Sequence, residues 1–326
     1  MDGVLSVLHD ATETGLPYTI AFLGVWLTFR LQRDFDLTVD GSFTLGAAVF
    51  GSWVVKGGPA AVGVLMAMVA GMLSGLTTYS VMRLLRLRLV MASIIVNVGL
   101  FTVNLIVMGQ SNVNLFGSSS LLTSWSRAFS GGDLDLASLE LFPLIVVIVF
   151  GAAMYFLRTE YGLALRASGI SRPMIRTYGG SPDGFLMFAV VAGNSLVALS
   201  GSLVAQQQGF VDVSMGVGTI VFGVTAILIG EMVLFAPRSP SRGLIGVVVG
   251  ALLYRVILAT CFRVGIPPQY FQGLTAGIVI VFLALPFLLR GGRRRVSNRL
   301  LTAPSRSPVM APIHDAVGPD SLPTKE

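Results

Sequence analysis

Long apolar runs alternate along this chain with short clusters of charge, Gly and Pro. The alternation predicts nine helical spans, near 16–30, 42–55, 59–82, 89–109, 138–157, 185–205, 215–236, 242–263 and 272–290. A helix needs about 20 apolar residues to cross the hydrocarbon of a bilayer. The second run falls short of that before Lys56 interrupts it. It opens on Asp40-Gly41-Ser42 and reads as one arm of a broken or re-entrant helix. The predicted fold is therefore an all-α polytopic membrane bundle of about 8–10 transmembrane helices. Residues 1–15 read as an amphipathic lead-in and 16–290 as the membrane domain. Residues 291–326, basic, then Pro/Ser-rich, then acidic, read as a disordered cytoplasmic tail.

Composition supports the membrane reading, with 54% hydrophobic and only 12% charged residues. The net charge of +6 is informative only through its placement. If the segment 158–184 lies inside, the alternation of spans puts Arg30, Arg33, Arg83, Arg86, Arg88, Arg238 and Arg242 inside with it. The arginines of the tail join them, and Lys56, Arg127 and Arg263 remain outside. That asymmetry predicts an external N-terminus and a cytoplasmic C-terminus. It also argues against a nucleic-acid footprint.

Most connections are minimal, but Arg158–Asp183 is a long Gly-punctuated stretch carrying Arg158, Arg166, Arg172 and Arg176 among Leu, Ile and Met. Such a loop is suited to hand force or signal to a soluble partner. The loop near 110–137 is rich in Ser, Asn and Gly, and serves either as a solvated connector or as a docking surface for an external partner.

Enzyme signatures are missing. There is no Walker A pattern, and Gly216-Val217-Gly218 lacks the third glycine of a dinucleotide site, so it reads as helix packing. His9 and His314 lie near opposite ends, and Cys261 stands alone, so no metal site, disulfide or catalytic dyad is expected. The N-terminus has no basic region or cleavage site and does not read as a secretory signal. Gly71/Gly75, Gly246/Gly250 and Gly273/Gly277 have the spacing that brings helices close, within the chain or between subunits.

An internal echo is present. Val39–Gly51 and Val211–Gly223 agree at seven of thirteen positions, and the same offset carries Gly71 onto Gly243 and Arg83 onto Arg255. The two copies start on opposite sides, the pattern of an inverted repeat. It predicts Asp40 paired with Arg83, and Asp212 with Arg255. Polar residues within spans are costly unless partnered or wet. Asn97, Asn104 and Asn194 are candidates to line a path or to hydrogen-bond between helices. Gln206, Gln207 and Gln208 read as an exposed polar rim. Glu231 either snorkels or braces the inner loop, and Arg255 either snorkels outward or pairs.

Taken together, Asp36-Leu37-Thr38-Val39-Asp40-Gly41-Ser42, the loop from Leu165-Arg166-Ala167-Ser168-Gly169-Ile170 through Met174 to Gly179, and Gly209–Gly218 with Ile229-Gly230-Glu231 resemble a known family. It is that of the ribose and branched-chain amino-acid ABC importer permeases, most closely a branch with tryptophan- or tyrosine-linked members. The resemblance covers most of 16–290. It implies a permease dimer, two cytoplasmic ABC ATPase subunits that hold ATP and Mg, and an external solute-binding protein. No cofactor would be bound by this chain itself. It implies coupling to the ATPase through Arg166, Gly169, Arg172, Met174 and Gly179. Candidate path residues are Asp40, Ser42, Asn97, Asn194, Asp212 and Ser214. In place of the Gly-Ile usual before the next span stands Gly179-Gly180-Ser181-Pro182, which puts the end of the coupling helix in question. The leading function is thus a non-enzymatic permease subunit for a small solute, an amino acid or similar. A self-contained secondary transporter or an intramembrane enzyme are the alternatives.

Overall fold

The computed structural model describes residues 2–234, 240–263, 270, 273–278 and 280–281. Most of the predicted ninth span and the whole predicted tail lie outside the described residues. The bundle consists of α1 (Asp2–Trp26), which continues into a π-helical end at Leu27–Gln32, then α2 (Thr38–Val55), α3 (Ala60–Leu84) and α4 (Leu89–Met108). A short strand β1 (Asn112–Asn114) and α5 (Leu121–Ala128) precede α6 (Leu134–Arg158). Then come α7 (Glu160–Ile170), α8 (Arg172–Thr177), α9 (Pro182–Gln208), β2 (Phe210–Asp212), α10 (Thr219–Val233) and α11 (Pro240–Arg263).

Among the described residues, five helices are long and apolar enough to cross a membrane: α3, α4, α6, α9 and α11. Their outward faces carry large apolar side chains such as Leu65, Leu73, Val98, Ile106 and Val147. Lipid solvates such faces well and water does so poorly. The second helix is one unbroken stretch of 18 residues. The lead-in is helical from Asp2 and runs without interruption into the first span.

α9 is the axis of the bundle, packed on α1, α2 and α3. It can be central because small residues let backbones approach. A Cβ added at Gly46 of α2 would overlap the Ala198 carbonyl oxygen, and one at Gly201 would overlap that of Phe43. Gly71 and Gly75 of α3 also lie against α9, and Gly246 and Gly250 of α11 lie against α10, so both pairs serve packing within the chain. Around this axis a continuous core buries Phe22, Phe43, Phe50 and Phe142 completely or nearly so.

One end of the bundle is closed by the strands. α4 and α9 each end on a glycine in the left-handed region, Gly109 and Gly209, which terminates the helix without a Cβ clash. The chain then pairs antiparallel, Val113 opposite Val211, with both valines buried. The stretch predicted as a loop near 110–137 therefore holds a strand, α5 and the start of α6. A capping box between Ser120 and Thr123 begins α5. Glu140 of α6 accepts from Trp125 Nε1 at 3.0 Å and from Ser130 Oγ at 2.9 Å. Gln206, expected on an exposed rim, is instead buried, and its Oε1 accepts the Leu121 N–H at 2.8 Å.

Candidate functional site

The opposite end is built around α7 and α8. Thr159 and Ser171 cap their N-termini with side-chain oxygens. Gly179, with φ of 77°, ends α8, and Gly180 N–H returns to the Ile175 carbonyl at 2.9 Å. Ser181 then caps α9, with Pro182 in its first turn. The Gly-Gly-Ser-Pro departure is thus a compact helix–turn–helix joint, with a left-handed stop followed by a proline start.

This segment is fastened to the π-helical end of α1. Gln32 Nε2 donates to the Leu165 carbonyl at 3.0 Å and to Ser168 Oγ at 3.0 Å. A Cβ on Gly169 would overlap the Leu31 carbonyl oxygen. Arg172 pairs with Asp34 at 2.7 Å and Arg83 with Asp183 at 2.8 Å. Glu231 pairs with Arg30 at 2.8 Å, so it braces α10 against the same π-helical end. Ile175 is buried, whereas Ile170, Met174 and Tyr178 are exposed by 71%, 45% and 84%. Ile170 ends α7, whereas Met174 lies in α8 and Tyr178 just after it, so exposed apolar side chains flank the extended Ser171 on both sides.

Two residues past Asp34 the chain enters a buried polar node. The Asp36 carboxylate accepts the Thr38 N–H at 2.9 Å and Asn194 Nδ2 at 2.6 Å. Asn194 Oδ1 accepts from Ser42 Oγ at 2.6 Å, and Ser42 meets Ser74 at 2.6 Å. Thr38 and Thr78 meet at 2.8 Å. The node ties α2, α3 and α9 together, and each buried polar group finds a partner as its burial demands.

After β2 the chain does not return to helix at once. Gly51 of α2 lies against Val211, while Gly216 lies against the Asp40 carbonyl. The turn-rich segment 213–218 therefore runs back along α2 from the level of Gly51 toward Asp40. Asp40 stops it: its carboxylate accepts the Gly218 N–H at 3.1 Å and the Ile220 N–H at 2.9 Å, capping α10 from another helix. Thr44 Oγ1 accepts the Gly216 N–H at 3.1 Å. Non-helical backbone inside a membrane bundle is tolerated where it is buried in protein or lines a cavity. A half-open cavity of about 390 Å³ lies here, bordered by Asp40, Thr44, Asn97, Phe101, Asn104 and Val217.

The structure brings Asp40 and Asn97 to this cavity. Ser42 and Asn194 are fully buried in the polar node, away from the cavity wall. Asp212 and Ser214 bond each other at the end of β2. That contact, with further help from Asn112, holds the Asp212 carboxyl below its ordinary value of 3.8. Of the coupling residues, Met174 is exposed, Arg166 is half-buried with its Nε sequestered, and Gly169 faces Leu31. The expected pairs do not form. Asp40 caps α10 while Arg83 takes Asp183, and Arg255 lies 3.9 Å over the ring of Tyr18 while Asp212 takes Ser214. A carboxylate aimed at two free N–H groups at a helix start has no need of a distant guanidinium. The Gly216-Val217-Gly218 stretch, expected as helix packing, is the end of the segment that runs back along α2. Its visible signal in the sequence was the echo itself. Among the described residues no group of three or more His, Cys, Asp or Glu side chains could hold a metal ion.

An all-α membrane bundle with a half-open cavity and a helical joint fastened to one face has the build of a transport protein. Residues 8–284 match the family of branched-chain amino acid transport system permease components. The chain belongs to this family and is a permease subunit of an ABC-type importer, not an enzyme. It is 30% identical over 289 residues to a tyrosine transport system permease protein of Clostridioides difficile, covering 87% of this chain and 91% of that one. It is 31% identical over 291 residues to an uncharacterized protein of Rickettsia prowazekii, covering 88% and 99%. An autoinducer 2 import system permease protein of Yersinia enterocolitica is 24% identical over 260 residues, covering 77% and 67%. No solved structure matches the chain significantly.

Proposed function

We propose that this permease carries a small amino-acid-like solute, aromatic by analogy with its tyrosine-system relative. It would be driven by a separate ABC ATPase that docks on α7 and α8. The observation that carries this reading is the set of exposed apolar side chains Ile170, Met174 and Tyr178 on a segment pinned to the bundle through Gln32, Gly169 and Arg172. Apolar side chains exposed together in a segment rimmed by arginine mark a surface suited to a protein partner. Movement of that partner would pass through Gly169 and Leu31 into the π-helical end, then through Asp34 and Asp36 to the polar node and α2, which walls the cavity. ATP and Mg belong to the partner.

The half-open cavity is completed by a second permease copy in this reading, with an external solute-binding protein delivering solute at the strand end. The α7–α8 face is cytoplasmic, the C-terminus with it, and the N-terminus lies outside in the bacterial plasma membrane. The excess of arginine on that face supports this orientation.

Co-purification from native membranes tests the reading. Met174→Glu/Tyr178→Glu introduces charge among these exposed side chains without removing an internal side-chain bond. The wild type should bring down the ATPase and the variant should not, with equal permease yield. Retention of the ATPase by a variant that also imports normally would sink the docking assignment.

A further inference from the structure

We propose that the cleft between the α3–α4 turn and the start of α9 holds the phosphate headgroup of an anionic phospholipid. The cleft measures about 510 Å³ and is lined by Arg83, Arg86, Arg88, Arg172, Asp34 and Asp183. Four guanidinium groups face two carboxylates. The carboxylates are already engaged, Asp34 with Arg172 at 2.7 Å and Asp183 with Arg83 at 2.8 Å. These pairs hold two of the arginines in place. Arg86 and Arg88 make no ion pair among the described residues, so the cleft keeps a surplus of positive charge.

The turn itself is unusual. Arg86 has φ of 53°, in the left-handed region, between Leu85 N–H bonded to the Val81 carbonyl and Leu87 N–H bonded to that of Met82. Glycine takes this helix-ending conformation at no steric cost, and arginine does not. The turn thus carries an arginine into the lining of the cleft at a position where glycine would cost less.

The surroundings select a lipid over a soluble anion or a soluble protein. Leu84 and Leu85, beside Arg86 in the chain, are exposed by 83% and 56%. They continue the outward apolar faces of α3 and α4, which carry Leu73, Leu76 and Met91. The cleft itself sets Met82, Leu87, Leu89 and Leu186 beside its arginines, and a site both basic and apolar matches the two ends of one amphipathic molecule. Basic pockets between membrane helices on the cytoplasmic side bind acidic headgroups in this way. Inorganic phosphate would use only the arginines, and a protein partner would leave the two leucines against lipid.

The test uses the full-length permease in neutral detergent, titrated with phosphatidylglycerol or phosphatidylcholine and read by native mass spectrometry. The wild type should retain phosphatidylglycerol in preference. Arg86→Gln/Arg88→Gln should weaken retention by about fivefold per arginine removed. Arg86→Lys/Arg88→Lys should restore most of it. Equal unfolding midpoints in phosphatidylcholine would show that the Gln variant is folded. Should it not fold, Arg88→Gln alone, which lies outside the left-handed turn, carries the same test. Three results overturn the proposal: unchanged retention in a folded Gln variant, displacement of the lipid by millimolar inorganic phosphate, or loss of a co-purifying ATPase with lipid retention intact. The second would mark a free-anion site and the third a protein interface.

Discussion

Asp40 and Ile220 lie 180 residues apart, yet the Asp40 carboxylate accepts the Ile220 N–H at 2.9 Å and thereby caps a helix to which it does not belong. The same carboxylate stands on the wall of the cavity. One side chain thus both caps the start of α10 and forms part of the cavity wall.

Asp40→Ala should leave the Gly218 and Ile220 N–H groups without their acceptor and cost about 1–2 kcal/mol of stability. Asp40→Asn, which keeps one acceptor oxygen and turns an NH2 toward the other N–H, should recover only part of that. Thermal unfolding in detergent reads the stability, and uptake in proteoliposomes reads the cavity. Equal stability of Asp40→Ala and wild type would remove the capping role.

Gly169→Ala places a methyl group where the Leu31 carbonyl oxygen sits. Overpacking of this kind costs about 1–3 kcal/mol, and here it should part α7 from the π-helical end. The expected phenotype is uncoupling: the ATPase remains bound and hydrolyses ATP, while import falls. Loss of ATPase binding instead would mean that Gly169 serves the docking surface.

Asn194→Ala removes a donor to the buried Asp36 carboxylate and an acceptor for Ser42. A hydrogen bond to a charged group is worth about 1.5–3 kcal/mol, so a loss near that size is expected. A double-mutant cycle with Ser42→Ala should be strongly non-additive, because both residues belong to one network. Additive losses would show that Ser42 and Asn194 act independently.

The Asp212 carboxyl sits below its ordinary value of 3.8 because Ser214 donates to its charged form. A depressed folded value means a stabilisation that is present above the unfolded value and lost as pH falls through the folded one. Unfolding midpoints should therefore respond to Asp212→Asn at pH 7 and pH 5 alike. The difference should shrink only below about pH 4. A difference that vanishes between pH 7 and pH 5 would assign the effect to another group.

Much of the architecture was legible before folding. Apolar runs long enough to span a bilayer can adopt only a backbone that bonds to itself, so the helices and their order follow from hydropathy. The resemblance motifs located the joint between spans and the residues at its centre. The roles of particular residues were less legible. Of the residues named for coupling, Met174 is exposed, whereas Gly169 and Arg172 from the same loop turn inward onto Leu31 and Asp34. A composition cannot say which side of a short helix meets the body.

The echo between Val39–Gly51 and Val211–Gly223 shows the same division. Sequence alone revealed the matching Asp and Gly positions, and charge then suggested pairing each Asp with an Arg. In the folded chain Asp40 meets the N–H groups at the start of the second copy's helix, because a helix start presents unpaired donors at close range. Likewise Ser42 and Asn194, polar residues within spans, were marked as exceptional by sequence, and only packing decided that they satisfy each other and Asp36. What the sequence by itself determined is what depends on local composition: helices, their membrane setting and the family they belong to. What the tertiary structure decided is which polar groups meet, since that depends on distances between segments far apart in the chain.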